Sequence, residues 1–308
     1  MALTYNQISA ITEKKFIPKM VDNIFDSNPL LQRFKKGDVY EGIDGGTSIL
    51  VPLNYAQNTG GGWYAGADTL DTTDNETITA AEYSWKQMYD NISITRADEL
   101  KNSGDPQILN FVKNKIKIAE KTGMDRMGTG LYSSGSDADS IVGLGSIVST
   151  SNTIGGIGQS SYSWWQAGSV DSSTTTLSIA AMNAVFSAVK IGSDKPTVIT
   201  CNSDNWDRYY GLLQPQQRFQ DSETAKGGFA SLMFNGVPVI DDSHCATGDM
   251  YFLNEKYLHL FYHKQENFRF EPFQKPVNQN VKVAKIYWMG AFGSSNVRML
   301  GKLDAISA

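Results

Sequence analysis

The longest stretch of periodic apolar positions falls in residues 106–133, where Leu109, Val112, Ile116, Ala119, Gly123, Met127 and Leu131 recur at steps of three and four. That spacing lays one apolar stripe along a single helix. Lys113, Lys117, Glu120 and Lys121 fill the opposite side. Asp105 before Pro106 is a helix start, an acceptor for free amides followed by a proline that has no amide to satisfy. Gly128, Gly130 and Gly135 mark a fraying exit. At 1.5 Å per residue the helix would be about 42 Å long, as long as a small domain is wide, so it is expected to act as a spine.

Upstream, residues 1–36 hold two short amphipathic pieces, 16–25 and 30–34, separated by the turn signal Ser27-Asn28-Pro29, with too little apolar surface to fold alone. Residues 47–55 and 77–85 alternate as two strands. The link between them, residues 60–74, has no hydrophobic period and is too long for a loop inside a compact domain, which predicts a projecting hairpin. Residues 86–95 read as a further strand leading through 96–104 into the spine. Downstream, 141–168 is too rich in glycine and serine for a helix, and Trp164 and Trp165 are expected to plug a core or an interface. A helix over 178–191 stops at Gly192, a buried strand covers 197–201 and a second helix 204–213. Residues 214–228 read as a polar loop, followed by strands at 229–234, 237–240 and 250–253, with Asn235-Gly236 as a hairpin turn. Further strands are expected at 257–262, 268–273, 281–292 and 297–300, returning the chain to the spine. The βα alternation after the spine suggests an inserted α/β unit.

Charge sharpens the picture. The net charge of −5 over 308 residues leaves no face-wide basic surface for general nucleic-acid binding. It is unevenly spread: residues 37–85 carry eight acids and no Lys or Arg, a formal −8, while residues 1–36 carry six bases against three acids, +3. Residues 86–133 have eight bases against six acids, +2. Cys201 and Cys245 form no CxxC pair, so neither a disulfide framework nor a zinc knuckle is indicated, and a reducing compartment fits. No signal peptide and no apolar run of membrane-spanning length is read.

Chemistry is sparse. His259 and His263 have i,i+4 spacing but fall in a strand-like run without the HExxH glutamate, and Asp242, His244 and Cys245 in DDSHCATGD are explained by a turn between strands. The glycine clusters complete neither GxGxxG nor a phosphate-binding loop, and no GxSxG occurs. No catalytic residue, cofactor or metal is expected. The competing classes are a hydrolase with an unrecognised site and a tail or host-adhesion component, which would predict repeats or a fibrous stretch.

The order of segments resembles the major capsid protein of tailed double-stranded DNA bacteriophages, with the Hong Kong 97 capsid fold. The residues that carry the resemblance are FIPKMVDNIFDSNPLLQRFKK, GGTSILVPLNY, WYAGADTLDT, ITAAEYSWKQMYDNISIT, KIKIAEKTGMDRMGTGLYSS, GLGSIV, GGIGQSSYSWW, FNGVPVIDD and YFLNEKYLHL. It implies an α+β fold with an N-terminal arm at 1–36, an extended β-hairpin loop at 37–85, a spine helix with peripheral sheet at 86–142 and 255–308, and an inserted α/β axial domain at 143–254. It also implies a structural, non-enzymatic head protein of the virion, assembled in the host bacterial cytoplasm from hexameric and pentameric capsomers. The icosahedral shell would enclose double-stranded DNA without reading its sequence and without a membrane. A separate scaffolding protein and a portal are expected partners, and a head-decoration protein is a further one. Some members join subunits through a lysine in the extended loop, which this loop lacks.

The expected inter-subunit contacts are Phe16, Phe25, Trp63 and Tyr64, apolar residues without a local core, together with the acids Asp68, Asp71 and Asp74 of the hairpin. These acids are expected to meet Lys113, Lys117 and Lys121 on the spine of a neighbouring subunit.

Overall fold

The computed structural model describes residues 28–37, 39–73, 75–101, 105–173, 176–213 and 232–306. The expected arm residues Phe16 and Phe25, the hairpin's Asp74 and the polar loop at 214–228 lie outside these. Helix α1 (Pro29–Lys36) opens the described chain, capped by Asn28, whose side chain accepts from the amides of Leu30 and Leu31. Strands β1 (Tyr40–Ile43), β2 (Ile49–Asn54), β3 (Ile78–Tyr83) and β4 (Lys86–Thr95) follow, then the short helix α2 (Arg96–Lys101). The spine is helix α3 (Asp105–Tyr132), 28 residues, within one residue of its expected limits at each end.

Val112, Ile116, Ala119, Met127 and Leu131 of the spine are all buried, as their spacing requires, in the same core as Ile92 and Ile94 of β4. Burying a side chain the size of Val112, Ile116, Met127 or Leu131 contributes about 1.5–3 kcal/mol each, so this stripe holds helix and sheet together. Arg126 adds a polar tie, donating to the carbonyl of Tyr89 at 2.7 Å and to the Asp90 carboxylate. Burial raises the Asp90 carboxyl above its ordinary range against the opposing pull of that guanidinium.

Strands β12 (Leu258–His263), β13 (Arg269–Gln274) and β14 (Val281–Ser294) complete a five-stranded sheet. β14 is its axis: β4 runs antiparallel along one side, and β12 and β13 lie end to end along the other. β1 closes the edge, parallel to β12.

After the spine come the single-turn helix α4 (Leu144–Ile147), the short pair β5 (Thr153–Ile154) and β6 (Ile157–Gly158), and β7 (Ser169–Asp171). Helix α5 (Ile179–Val189) is capped by Ser178, and Gly192 just beyond it takes a positive φ of 60°. Strand β8 (Val198–Cys201), helix α6 (Ser203–Leu213), β9 (Leu232–Phe234), β10 (Val237–Asp241), β11 (Met250–Leu253) and β15 (Gly301–Leu303) follow. The six-stranded sheet runs β7-β15-β11-β8-β10-β9. Asn235 and Gly236 turn β9 into β10 with φ of 50° and 76°, the left-handed pair that a two-residue hairpin demands.

The strands β8 and β11 are buried along their whole length. Alternate residues serve different cores: Val198, Tyr251 and Leu253 face the spine's core, whereas Ile199, Cys201, Met250 and Phe252 pack with Met182, Val185 and Val189 of α5. One sheet therefore seals two cores, and a period of two decides which residue goes where.

Two sequence expectations need correction. Residues 297–300 are not a strand; Val297–Met299 is a 3-10 turn, because the Asn296 side chain accepts from the Arg298 amide and the Arg298 guanidinium donates to the carbonyl of Ala188. The chain then enters the six-stranded sheet as β15, where Gly301 is required because a Cβ would lie 2.7 Å from Val189 of α5. Residues 29–36, expected to be unable to fold alone, pack on the body: Leu30, Leu31 and Phe34 are fully buried, Phe34 stacks on Phe292 with ring centroids 5.8 Å apart, and Arg33 grips Glu255 through two bonds of 2.8 and 2.7 Å. The glycine-rich stretch after the spine does contain a helical turn, α4, where Gly143 fits against the carbonyl of Gly130 that a Cβ would strike at 2.5 Å.

Candidate assembly interface

The hairpin has a rigid root and a bare tip. At the root, β2 and β3 pair over six residues, and Val51, Leu53, Ala81 and Tyr83 are buried in the main core. The Tyr83 hydroxyl donates to the carbonyl of Ser294 at 2.7 Å and accepts from its amide at 3.0 Å, which locks β3 to the end of β14. Desolvation pushes this phenol up to about 12. The Glu82 amide donates to the carbonyl of Gly155 at 2.9 Å, and Tyr55 stacks on Trp164 at 5.0 Å, while Trp165 beside it is a core plug as expected.

Beyond Tyr55 the chain leaves the body. Trp63 is fully exposed at 106%, Tyr64 at 67% and Leu70 at 59%, and a Cβ built on Gly61, Gly62 or Gly66 would meet nothing within 4 Å. Large apolar side chains grouped on a segment with no core of its own mark a contact surface. Asp68 and Asp71 are partly occupied: Asp68 accepts from the amide of Ala65 at 2.9 Å, and Asp71 accepts from the amide and hydroxyl of Thr73 at 2.9 and 2.7 Å. Those bonds, the hydroxyl's first, hold the Asp71 carboxyl below its ordinary range. Both sets of bonds tie the loop to itself.

On the spine, Lys113, Lys117 and Lys121 are all exposed, four residues apart on one helical face, with Ile118 exposed beside them at 61%. Among the described residues none of the three ammonium groups forms an ion pair, and none meets Asp68 or Asp71 of the same chain. The basic face and the acidic hairpin are thus both open.

The residues considered for chemistry have structural work. Asp242 is buried in the turn after β10, accepting from the His244 amide at 3.0 Å and from the Tyr132 hydroxyl at 3.1 Å. His244 stands against Gly128 of the spine, where a Cβ would lie 2.4 Å from its ring, with Asp125 at 3.4 Å and Asn28 at 3.5 Å. Cys201 and Cys245 are free and buried. A feature hidden from sequence reading is a line from Glu41 Oε1 to His259 Nδ1 at 3.0 Å and from His259 Nε2 to Ser295 Oγ at 3.1 Å. It has the order of a catalytic triad, yet the amides beside the hydroxyl are taken: Ser295 donates to the carbonyl of Tyr257 and Asn296 to the Ser294 hydroxyl. Without those donors no oxyanion hole forms there, and the line ties β1, β12 and the end of β14 together.

No family model matches the sequence, and no curated protein matches it either. Solved structures do match in fold. The Cyanophage A-1(L) capsid asymmetric unit superposes with a TM-score of 0.65 at 17% identity, over 87% of this chain and 90% of that one. The capsid of a native GTA particle gives 0.62 at 14%, over 89% and 90%. The holo-SrpI encapsulin complex from Synechococcus elongatus PCC 7942 gives 0.56 at 11%, over 87% and 85%. The chain therefore shares the fold of these capsid and encapsulin subunits, the Hong Kong 97 capsid fold that its sequence resembles.

Proposed function

We propose that this chain is the major capsid protein of a tailed double-stranded DNA bacteriophage, a structural subunit that assembles through hexameric and pentameric capsomers into an icosahedral shell around the genome. The observation that carries the reading is the hairpin: a locked root presenting Trp63, Tyr64 and Leu70 to solvent, on a fold shared with capsid subunits over nearly its whole length. An isolated protein gains nothing by exposing these rings, whereas a neighbouring copy would bury them.

In this reading the hairpin crosses the neighbour's spine, with Asp68, Asp71 and Asp74 toward Lys113, Lys117 and Lys121, and Phe16 and Phe25 of the arm add apolar contacts. Residues 1–36 serve as arm, 37–85 as extended loop, 86–142 and 255–308 as peripheral domain and 143–254 as axial domain, with β15 contributed to the axial sheet. A scaffolding protein, a portal and a head-decoration protein are proposed partners, and assembly takes place in the host cytoplasm.

Negative-stain microscopy with light scattering tests the proposal, since a 33.9 kDa monomer is readily separated from capsomers and shells. Closed shells holding nuclease-protected DNA after expression with a scaffold support it. A chain that stays monomeric under every assembly condition overturns it, and shells that take up protein cargo and exclude DNA would favour an encapsulin-type compartment instead.

A further inference from the structure

A groove of about 570 Å³ runs between β4 and the C-terminal half of the spine. Its lining includes the buried Met127, Ile141 and Trp288 and the half-buried Met88, which make an apolar floor. Its rim carries three exposed carboxylates, Asp125, Asp137 and Asp139. Of the two bases there, Arg126 is already paired with Asp90, and Lys86 donates to the carbonyl of Ala138. Among the described residues Asp137 and Asp139 form no ion pair. The groove therefore suits an extended segment that combines apolar side chains with several positive charges.

The chain supplies such a segment, and its attachment point is beside the groove. Residues 14–20, KKFIPKM, hold Lys14, Lys15 and Lys19 around Phe16, Ile17 and Met20, with Pro18 favouring an extended path. The other long stretch outside the described residues, 214–231, has two bases against two acids and no such complement. The described chain begins at Asn28, whose amide lies 3.5 Å from His244, and His244 lies 3.4 Å from Asp125 on the groove's rim. Phe16 precedes Asn28 by twelve residues. Extended chain of that length reaches up to about 40 Å, more than enough to enter a groove that begins one imidazole away. We infer that residues 14–20 of the same chain occupy this groove in the unassembled subunit, with Phe16 and Ile17 on the apolar floor and the lysines against Asp137 and Asp139. The body then has two oppositely charged sites, the basic row on the spine that receives the acidic hairpin and the acidic rim, mostly on the loop after the spine, that receives the basic arm.

The test uses the full chain with a benzophenone amino acid in place of Phe16, irradiated as dilute, unassembled subunit, with links mapped by mass spectrometry. It is independent of whether shells form. The expected product has the mass of one chain, with position 16 joined to Met88, Met127 or Ile141. Replacing Asp137→Lys and Asp139→Lys together should lower its yield about fivefold, the scale of two lost surface ion pairs. Salt near 1 M should act in the same direction. The milder Asp137→Asn, Asp139→Asn pair should give a smaller loss of the same sign. Links that join two chains, links that map elsewhere, or a yield unchanged by both charge variants would overturn the inference.

Discussion

Replacing Trp63→Ala isolates what the hairpin tip contributes to assembly. In the single chain this side chain is fully exposed and a Cβ on its neighbours Gly61 and Gly62 would meet nothing within 4 Å, so the substitution leaves the fold alone. If a neighbouring subunit covers the ring, about 150–250 Å² leaves water, an upper value of about 4–6 kcal/mol at 25 cal/mol per Å². Ordering a projecting loop takes back part of this, so about 2 kcal/mol per subunit is the working figure for an aromatic anchor. That corresponds to a roughly thirtyfold rise in the concentration at which capsomers or shells appear by light scattering. Thermal unfolding of the unassembled variant should match the parent. Fluorescence gives a second readout, because the other five tryptophans are buried or half-buried: the parent-minus-variant spectrum should shift to the blue on assembly. If the variant assembles at the parent's concentration and that difference spectrum does not move, the tip is not an assembly anchor.

Charge exchange tests the docking direction: reversing Lys113, Lys117 and Lys121 should block assembly, and reversing Asp68, Asp71 and Asp74 as well should partly restore it, whereas assembly of the lysine-reversed protein at low salt would rule the contact out. At the hairpin root, Tyr83→Phe orphans the buried Ser294 amide, which costs about 2 kcal/mol and should lower the melting temperature by roughly 3 °C, measured by calorimetry on the subunit. Burial pushes the Cys201 thiol up to about 12, and burial with Cys201 and Asp249 nearby pushes Cys245 higher still. At pH 8 Cys201 is thiolate in about one molecule in ten thousand, so a disulfide reagent should label both thiols only after denaturant is added. The Asp249 carboxyl is held above its ordinary range, mainly by burial, so its charged form weakens the fold at pH 7 and this cost fades as pH falls through the raised value. Asp249→Asn keeps an acceptor for the Tyr251 hydroxyl and should raise the melting temperature at pH 7, with the gain shrinking toward pH 4; an equal gain at both pH values would refute the assignment.

Local signals in the chain carried further than distant ones. The spine was legible because one stripe of apolar residues repeats over 28 residues, and the turn at Asn235-Gly236 because few other pairs accept two positive φ angles. The bare hairpin tip was legible in its lack of period and of lysine. What could not be read depends on partners remote in sequence. The helix at 29–36 resembles a loose arm until Phe292, which stacks on Phe34, and Glu255, which pairs with Arg33, anchor it from more than 220 residues on. The run VRML has strand-like composition, and only the cap from Asn296 turns it into a 3-10 bend. Helix α2 has no apolar stripe to announce it. The line Glu41, His259, Ser295 brings together three separate elements, and nothing in the spacing foretells it. Asp68 and Asp71 were legible as charges, but not as acceptors that shape their own loop.

The position of β14 has a consequence for synthesis. β1 waits for β12, β4 waits for β14, and the six-stranded sheet receives β15 last, so neither core can close while the ribosome is still making the final fifth of the chain. Contacts that span so much sequence make folding slow and leave the hairpin and spine exposed in the nascent chain, a hazard chaperones are suited to manage. The same arrangement acts as a proofreading step: a chain cut short before Val281 lacks the axis of one sheet and an inner strand of the other. Such fragments are expected to be degraded rather than built into a shell, which pulse-chase labelling of stop-codon variants can check.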